Sequence, residues 1–200
     1  MSGMSPEITE ELTGLLLGGE AVLDVGCGDA SLLTRLSGRA RRLCGIDPAF
    51  SGGPLPPVPE DVRLLPGAAE AIPFPEGSFD RVVLQCVFSL CRPREAAAEV
   101  FRVLQPGGRL VLADLYAGGD ELPAPESPLL GNLWRPERIE GFFSRFHRGS
   151  FTDLTPALME MLVEAIWRGE EDCLAAGPDL ARLRRAKARY GLWVWEKPRV

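Results

Sequence analysis

Histidine is almost missing from this chain of 200 residues, occurring once, at position 147. The five cysteines are scattered and contain no Cys-x-x-Cys spacing, so neither a zinc site nor a disulfide framework is indicated and no metal is expected. No apolar run has the length needed to span a bilayer. The N-terminal stretch sets Glu7, Glu10 and Glu11 ahead of only Leu15-Leu16-Leu17, which is not the basic start of a secretion signal, and a cytoplasmic location is expected. Positive charge is in deficit, 22 basic against 28 acidic residues for a net of −6, which opposes association with nucleic acid or an anionic membrane. The one dense basic run, Arg182 to Arg189, has helical spacing behind Glu170-Glu171-Asp172 and reads as a solvated helix face. Nothing resembling a linker divides the chain. With 46% apolar residues it can bury one sizeable core, and residues 1–200 are expected to form a single domain.

What is present is concentrated in Val22 to Ala30, VLDVGCGDA. Ala21-Val22-Leu23 suits a parallel strand covered on both faces, and Asp29-Ala30-Ser31-Leu32-Leu33 reads as the capped opening of a helix. The backbone between them must turn tightly. Glycines at 26 and 28 remove the Cβ atoms that would block the turn and hold a ligand away from the main-chain N–H groups. A helix start at this point favours an anionic group. A dinucleotide-binding turn, however, reads G-x-G-x-x-G, whereas Gly26-Cys27-Gly28-Asp29-Ala30-Ser31 lacks the third glycine. Asp24 also places a carboxylate where it would repel a diphosphate and attract an ammonium. About twenty residues beyond the glycines, Arg42-Leu43-Cys44-Gly45-Ile46-Asp47 reads as a second strand ending in a carboxylate that can accept both hydroxyl protons of a ribose.

Two later blocks complete the pattern. Gly67 to Asp80, GAAEAIPFPEGSFD, leads into the apolar strand Val82-Val83-Leu84. Phe101 to Asp114, FRVLQPGGRLVLAD, reads as a helix ending at a Pro-Gly-Gly turn with a strand behind it. In order and spacing the four blocks, spanning 20–115, resemble the class I, Rossmann-like S-adenosylmethionine-dependent methyltransferases, in particular those similar to ubiquinone and menaquinone C-methylating enzymes.

That resemblance implies an α/β fold: a three-layer, doubly wound, mostly parallel seven-stranded sheet with an antiparallel last strand and helices on both faces. It implies S-adenosylmethionine as cofactor and a small-molecule methyl acceptor, with nucleic acid disfavoured. Carried onto this chain, it assigns Asp24 to the methionine ammonium and the backbone of Gly26, Cys27 and Gly28 to cofactor contact. Asp47 goes to the ribose, Ala69 to the adenine edge, and Gln85 to the methionine end. Residues 115–189 would supply the substrate cover and 190–197 the final strand beside the fifth.

Several positions depart from the family pattern. Ala30 stands for the last glycine, a mild change because alanine is small and helix-favouring. Ala68 stands where an aspartate is usual, leaving adenine to the backbone around Ala69 and to apolar contact with Ile72. Phe88 and Ser89 occupy the place of a histidine pair, so no histidine-assisted step is implied there and no catalytic residue is assigned. His147, Asp114 and Tyr116 are the candidate bases. Cys86 and Cys91 follow the fourth strand, where the family's active site opens, and thiols there suit a soft acceptor as in arsenite methyltransferases. Cys44 and Cys173 lie in ordinary apolar surroundings. The alternatives are a non-catalytic S-adenosylmethionine-binding or regulatory protein and a nicotinamide-dependent oxidoreductase.

Elsewhere, Pro48 to Pro59 stands where a crossover helix belongs but reads as an irregular loop. Leu129 to Phe146 reads as an amphipathic helix carrying Leu133, Trp134, Ile139, Phe142 and Phe143, and Phe146 to Asp153 as a strand. Thr155-Pro156 starts a helix through Met159, Leu162, Ile166 and Trp167. Tyr190 to Lys197 alternates as a strand.

Overall fold

Every residue of Ala21–Val25 is buried, as a strand in the middle of a sheet covered on both faces requires. The computed structural model describes residues 6–123, 131–160 and 177–199. Its elements in chain order are α1 (Pro6–Leu16), β1 (Ala21–Val25), α2 (Ser31–Leu36), β2 (Arg42–Asp47), β3 (Val62–Pro66), β4 (Phe79–Gln85), α3 (Pro93–Val103), β5 (Leu104–Ala117), α4 (Pro136–Phe142), β6 (His147–Asp153), α5 (Gly177–Ala186) and β7 (Ala188–Glu196). Residues 155–160 are also helical. Among the described residues no helix is long and apolar enough to cross a membrane.

The strands lie in the order β3-β2-β1-β4-β5-β7-β6. Neighbours from β3 to β5 are parallel, and β7 is antiparallel to both β5 and β6, so it alone runs against the rest. This is the doubly wound, mostly parallel sheet with an antiparallel last strand. Strand order reverses between β1 and β4, and in such sheets the ligand crevice opens outside the carboxyl ends at that reversal.

Alternation along each strand sends side chains to two cores. Leu23, Val25, Val82, Leu84, Leu110 and Leu112 face the side covered by Ala96, Val100 and Val103 of α3 and Ile139 of α4. Val22, Val83 and Val111 face Ile8, Leu12 and Leu16 of α1 and Leu32, Leu33 and Leu36 of α2. The irregular crossover is found as expected: a short 3-10 turn at Pro48–Ser51 precedes residues without regular structure up to β3.

Two expectations need correction. The helix before the Pro-Gly-Gly turn stops at Val103, and Pro106-Gly107-Gly108 is drawn into β5, because the Gly107 N–H donates to the Lys197 carbonyl and Lys197 N–H to that of Gly108. Of the long helix expected over Leu129 to Phe146, residues 131–135 are not helical and the helix runs over Pro136–Phe142, while 129 and 130 lie outside the described residues. Leu133 instead forms a bridge with Leu122, and Pro136 suits only the first turn of a helix. The helix from Thr155 is present to residue 160, while Leu162, Ile166 and Trp167 lie outside the described residues.

Candidate active site at the carboxyl ends of the strands

β1 delivers Asp24 and then breaks at Gly26, where φ is +74°. A Cβ at this position would lie 2.3 Å from Cγ2 of Val87, so glycine is what lets the turn and the segment after β4 close on one another. The Gly26 and Cys27 N–H groups both donate to the Ile46 carbonyl, at 2.7 and 3.1 Å. Gly28 N–H donates to Asp47 Oδ2 at 3.0 Å and Ala49 N–H to Oδ1 at 2.9 Å. One main-chain donor thus fixes each oxygen of Asp47, and each retains accepting capacity for a second. The space beside Gly28 is open, with nothing within 4 Å of a Cβ built there.

The expected capped helix opening differs in detail. Ala30 is the N-cap of α2 in the left-handed region, φ 59°, with no side-chain cap, and Asp29 accepts from Ser31 N–H at 3.0 Å. α2 has six residues, too short a run of aligned peptides to add much dipole, so the carboxylates set the polarity of the turn.

Asp24 is 3% exposed, and burial, followed by the charges of Asp47 and Asp29, pushes its carboxyl up to about 7. A positive group brought against Asp24 offsets that penalty, whereas a diphosphate adds to it. Cys27 is buried, and its Sγ would stand 2.6 Å from a Cβ on Gly45, so the side chain belongs to the core beneath the turn. Burial and the Asp24 charge hold its thiol well above its ordinary value.

On the β2 side, Ala69 and Ile72 are buried in the same cluster as Ile46. A feature the sequence did not signal holds this segment. Glu99 accepts the Ile72 N–H at 2.8 Å, and Arg102 donates to the carbonyls of Ile72 and Phe74 at 3.0 and 2.7 Å. The two side chains pair with each other at 2.7 Å. Val87 over Gly26 is the second feature that went unread.

On the other side, Gln85 ends β4 half-buried and in register with Ala113. Cys86 N–H donates to the Ala113 carbonyl at 2.8 Å. Asp114 is buried; its oxygens accept N–H groups of Ser89 and Leu115 at 2.9 and 2.7 Å, and burial still pushes it up to about 6. Beyond Cys91, whose burial places the thiol at about 12, lies a groove of about 690 Å³ with Arg92, Arg94 and Arg138 around Trp134 and Phe142.

Two of the three candidate bases are not available as bases. His147 pairs in register with Glu196, which pairs with Arg109 of β5, level through Arg81 of β4 with Val22 near the start of β1, so it stands at the opposite end of the sheet from the turn. Tyr116 donates its hydroxyl to Asp153 at 3.2 Å, inside an ion pair of Asp153 with Arg189.

Residues 23–112 match the family model described as a methyltransferase domain. The match takes in under half of the chain. Over 93 residues the chain is 40% identical to an uncharacterized methyltransferase of Mycobacterium tuberculosis (strain H37Rv), covering 46% of this chain and 38% of the relative. Over 94 residues it is 35% identical to the demethylmenaquinone methyltransferase of Thermus thermophilus, covering 46% of this chain and 40% of that one. The chain therefore spans about two fifths of the length of these curated relatives. Among solved structures, phosphoethanolamine N-methyltransferase 2 of Haemonchus contortus in complex with S-adenosyl-L-methionine superposes with a TM-score of 0.75 at 18% identity, covering 96% of this chain and 52% of that one. That likeness is one of fold.

Proposed function

We propose that this protein is an S-adenosylmethionine-dependent methyltransferase acting on a small-molecule acceptor, working as a single domain in the cytoplasm. The observation that carries the reading is the buried Asp24 beside the glycine turn, with Asp47 fixed across from it by main-chain donors. A ligand with an ammonium at one end and a ribose diol at the other satisfies both acids at once, and the open space at Gly28 leaves room for it. The demethylmenaquinone methyltransferase relative supports a small-molecule acceptor, and the unpaired thiols among the described residues suit a reducing compartment.

When bound, S-adenosylmethionine supplies a methyl group already activated by its sulfonium. The chain's own part is positioning. Asp24 holds the ammonium, the backbone of Gly26, Cys27 and Gly28 lines the turn, and Asp47 accepts from the ribose. Ala69 and Ile72 pack the adenine edge, Gln85 borders the methionine end, and the described parts of 115–189, residues 115–123, 131–160 and 177–189, cover the acceptor. Val87, closed over Gly26, helps keep water from that end.

Calorimetric titration with S-adenosylmethionine, its demethylated product and NAD, followed by incubation with methyl-labelled cofactor and a fractionated metabolite extract, tests the reading. Binding of the first two and label in a small molecule are expected. Saturation by NAD alone overturns it in favour of an oxidoreductase, and tight binding without transfer reduces it to a non-catalytic binding protein.

A further inference from the structure

Across the crevice the strands run β2, β1, β4, β5, β7, so the neighbour of the glycine turn on the side away from Asp47 is the segment leaving β4. Cys86 begins it with φ +56°, in the left-handed region that a residue bearing a Cβ enters only at a cost. It is fixed from both sides. Its N–H is bound to the Ala113 carbonyl, and the next residue, Val87, closes over Gly26.

Cys86 is an exposed residue at the carboxyl end of β4 whose thiol turns in toward β7, whereas Cys27 and Cys44 are buried. Its Sγ lies 3.4 Å from the hydroxyl of Tyr190, which arrives from β7 and is 1% exposed. A phenol in the core thus reaches out to a thiol at the crevice. Glycine would relieve the backbone at 86, and phenylalanine would fill the Tyr190 position with no hydroxyl to satisfy. The chain instead carries two polar groups that meet.

Burial and the nearby Asp114 charge hold the Cys86 thiol at about 12, and burial holds the Tyr190 hydroxyl well above its ordinary value. Both therefore keep their protons at neutral pH. The pair presents a neutral donor and acceptor, neither a nucleophile nor a base.

We propose that Cys86 and Tyr190 form the acceptor-side wall of the methyl-transfer site, with the thiol, oriented by the phenol, positioning the atom that receives the methyl group. The proposal rests on the methyltransferase reading above and adds a positioning pair to it. The negative charge of Asp114 next to this wall fits an acceptor whose reacting end is uncharged or cationic.

The test uses the full chain and its Cys86→Ala, Cys86→Ser and Tyr190→Phe variants. Each is titrated with S-adenosylhomocysteine, alkylated with iodoacetamide with and without that compound, and assayed for label transfer into the extract fraction that the wild type methylates. Unchanged S-adenosylhomocysteine affinity in all variants is expected, together with slower alkylation of wild-type Cys86 when the compound is bound. Tyr190→Phe should alter the alkylation rate at Cys86. Label transfer should fall about fivefold or more in Cys86→Ala and Tyr190→Phe and recover in Cys86→Ser, as expected for loss of one oriented hydrogen bond. Transfer by Cys86→Ala at the wild-type rate, or unshielded alkylation of Cys86 in a protein that binds the compound, overturns the pair alone. A loss of S-adenosylhomocysteine binding in Cys86→Ala also overturns it, since the residue then serves the cofactor side. No binding by the wild type overturns the methyltransferase reading and the pair with it.

Discussion

Asp24→Asn is expected to stabilise the protein without ligand while removing its affinity for S-adenosylhomocysteine. In the unfolded chain Asp24 loses its proton near 3.8, but in the folded protein it keeps it until about 7. The fold thus binds the proton more tightly than the unfolded chain, and stability falls as pH rises from about 4 to about 7, then levels off. At about 1.4 kcal/mol for each tenfold change in proton affinity, the full penalty above pH 7 is about 4 kcal/mol. For a chain of this size that corresponds to about 10 °C in Tm. An asparagine carries no such charge, so the variant should melt about 3 °C above the wild type near pH 4.5 and about 10 °C above it at pH 8. An ammonium ligand needs the ionised carboxylate, so wild-type affinity should rise about tenfold per pH unit up to about 7 and then flatten. Thermal denaturation of both proteins from pH 4.5 to 8.5, with and without S-adenosylhomocysteine, measures all of this. Parallel Tm curves for the two proteins, or equal protection of both by the ligand, would refute the reasoning.

Gly26→Ala drives a Cβ into Val87 at a positive φ, and should cost about 1–3 kcal/mol by denaturant unfolding while abolishing calorimetric binding of S-adenosylhomocysteine. Adding Val87→Ala should recover part of that stability. Asp47→Asn sets an amide N–H₂ against one of two main-chain donors and removes the ribose acceptor, so affinity for the same ligand should drop at least about tenfold with the fold retained by circular dichroism. Arg102→Ala releases the carbonyls of Ile72 and Phe74 and should cost about 1–3 kcal/mol in urea, with faster amide exchange confined to residues 69–74; uniform exchange across the chain would count against a local grip.

Much of the glycine-turn side of the crevice was legible because its signals are local. β2 runs from Arg42 to Asp47 as expected, since an apolar run closing on a carboxylate can be seen in six letters. The glycine turn and the irregular crossover after Asp47 were equally visible, as was the strand following Phe146. What escaped depends on distant pairing. Cys86 and Tyr190 meet across 104 positions, and nothing near either residue announces the other. The place of His147 follows from β7 inserting between β5 and β6, a choice of partner that local pattern does not encode. Leu133 and Trp134 carried helical spacing, yet Leu133 is satisfied by a bridge to Leu122, so the apolar positions were right and the element was wrong. Left-handed backbone at Ala30 and Cys86 was unreadable because glycine is the residue that ordinarily marks it.

The placement of β7 between two strands that precede it in the chain also shapes how the molecule is made. While a ribosome is still translating the segment before Ala188, the completed β5 and β6 each present a bare row of amide and carbonyl groups to solvent, with no mutual contact to hide them. The nascent polypeptide is therefore most prone to clumping just before β7 emerges, and prematurely released fragments ending ahead of that strand should be the ones that chaperones and proteases collect.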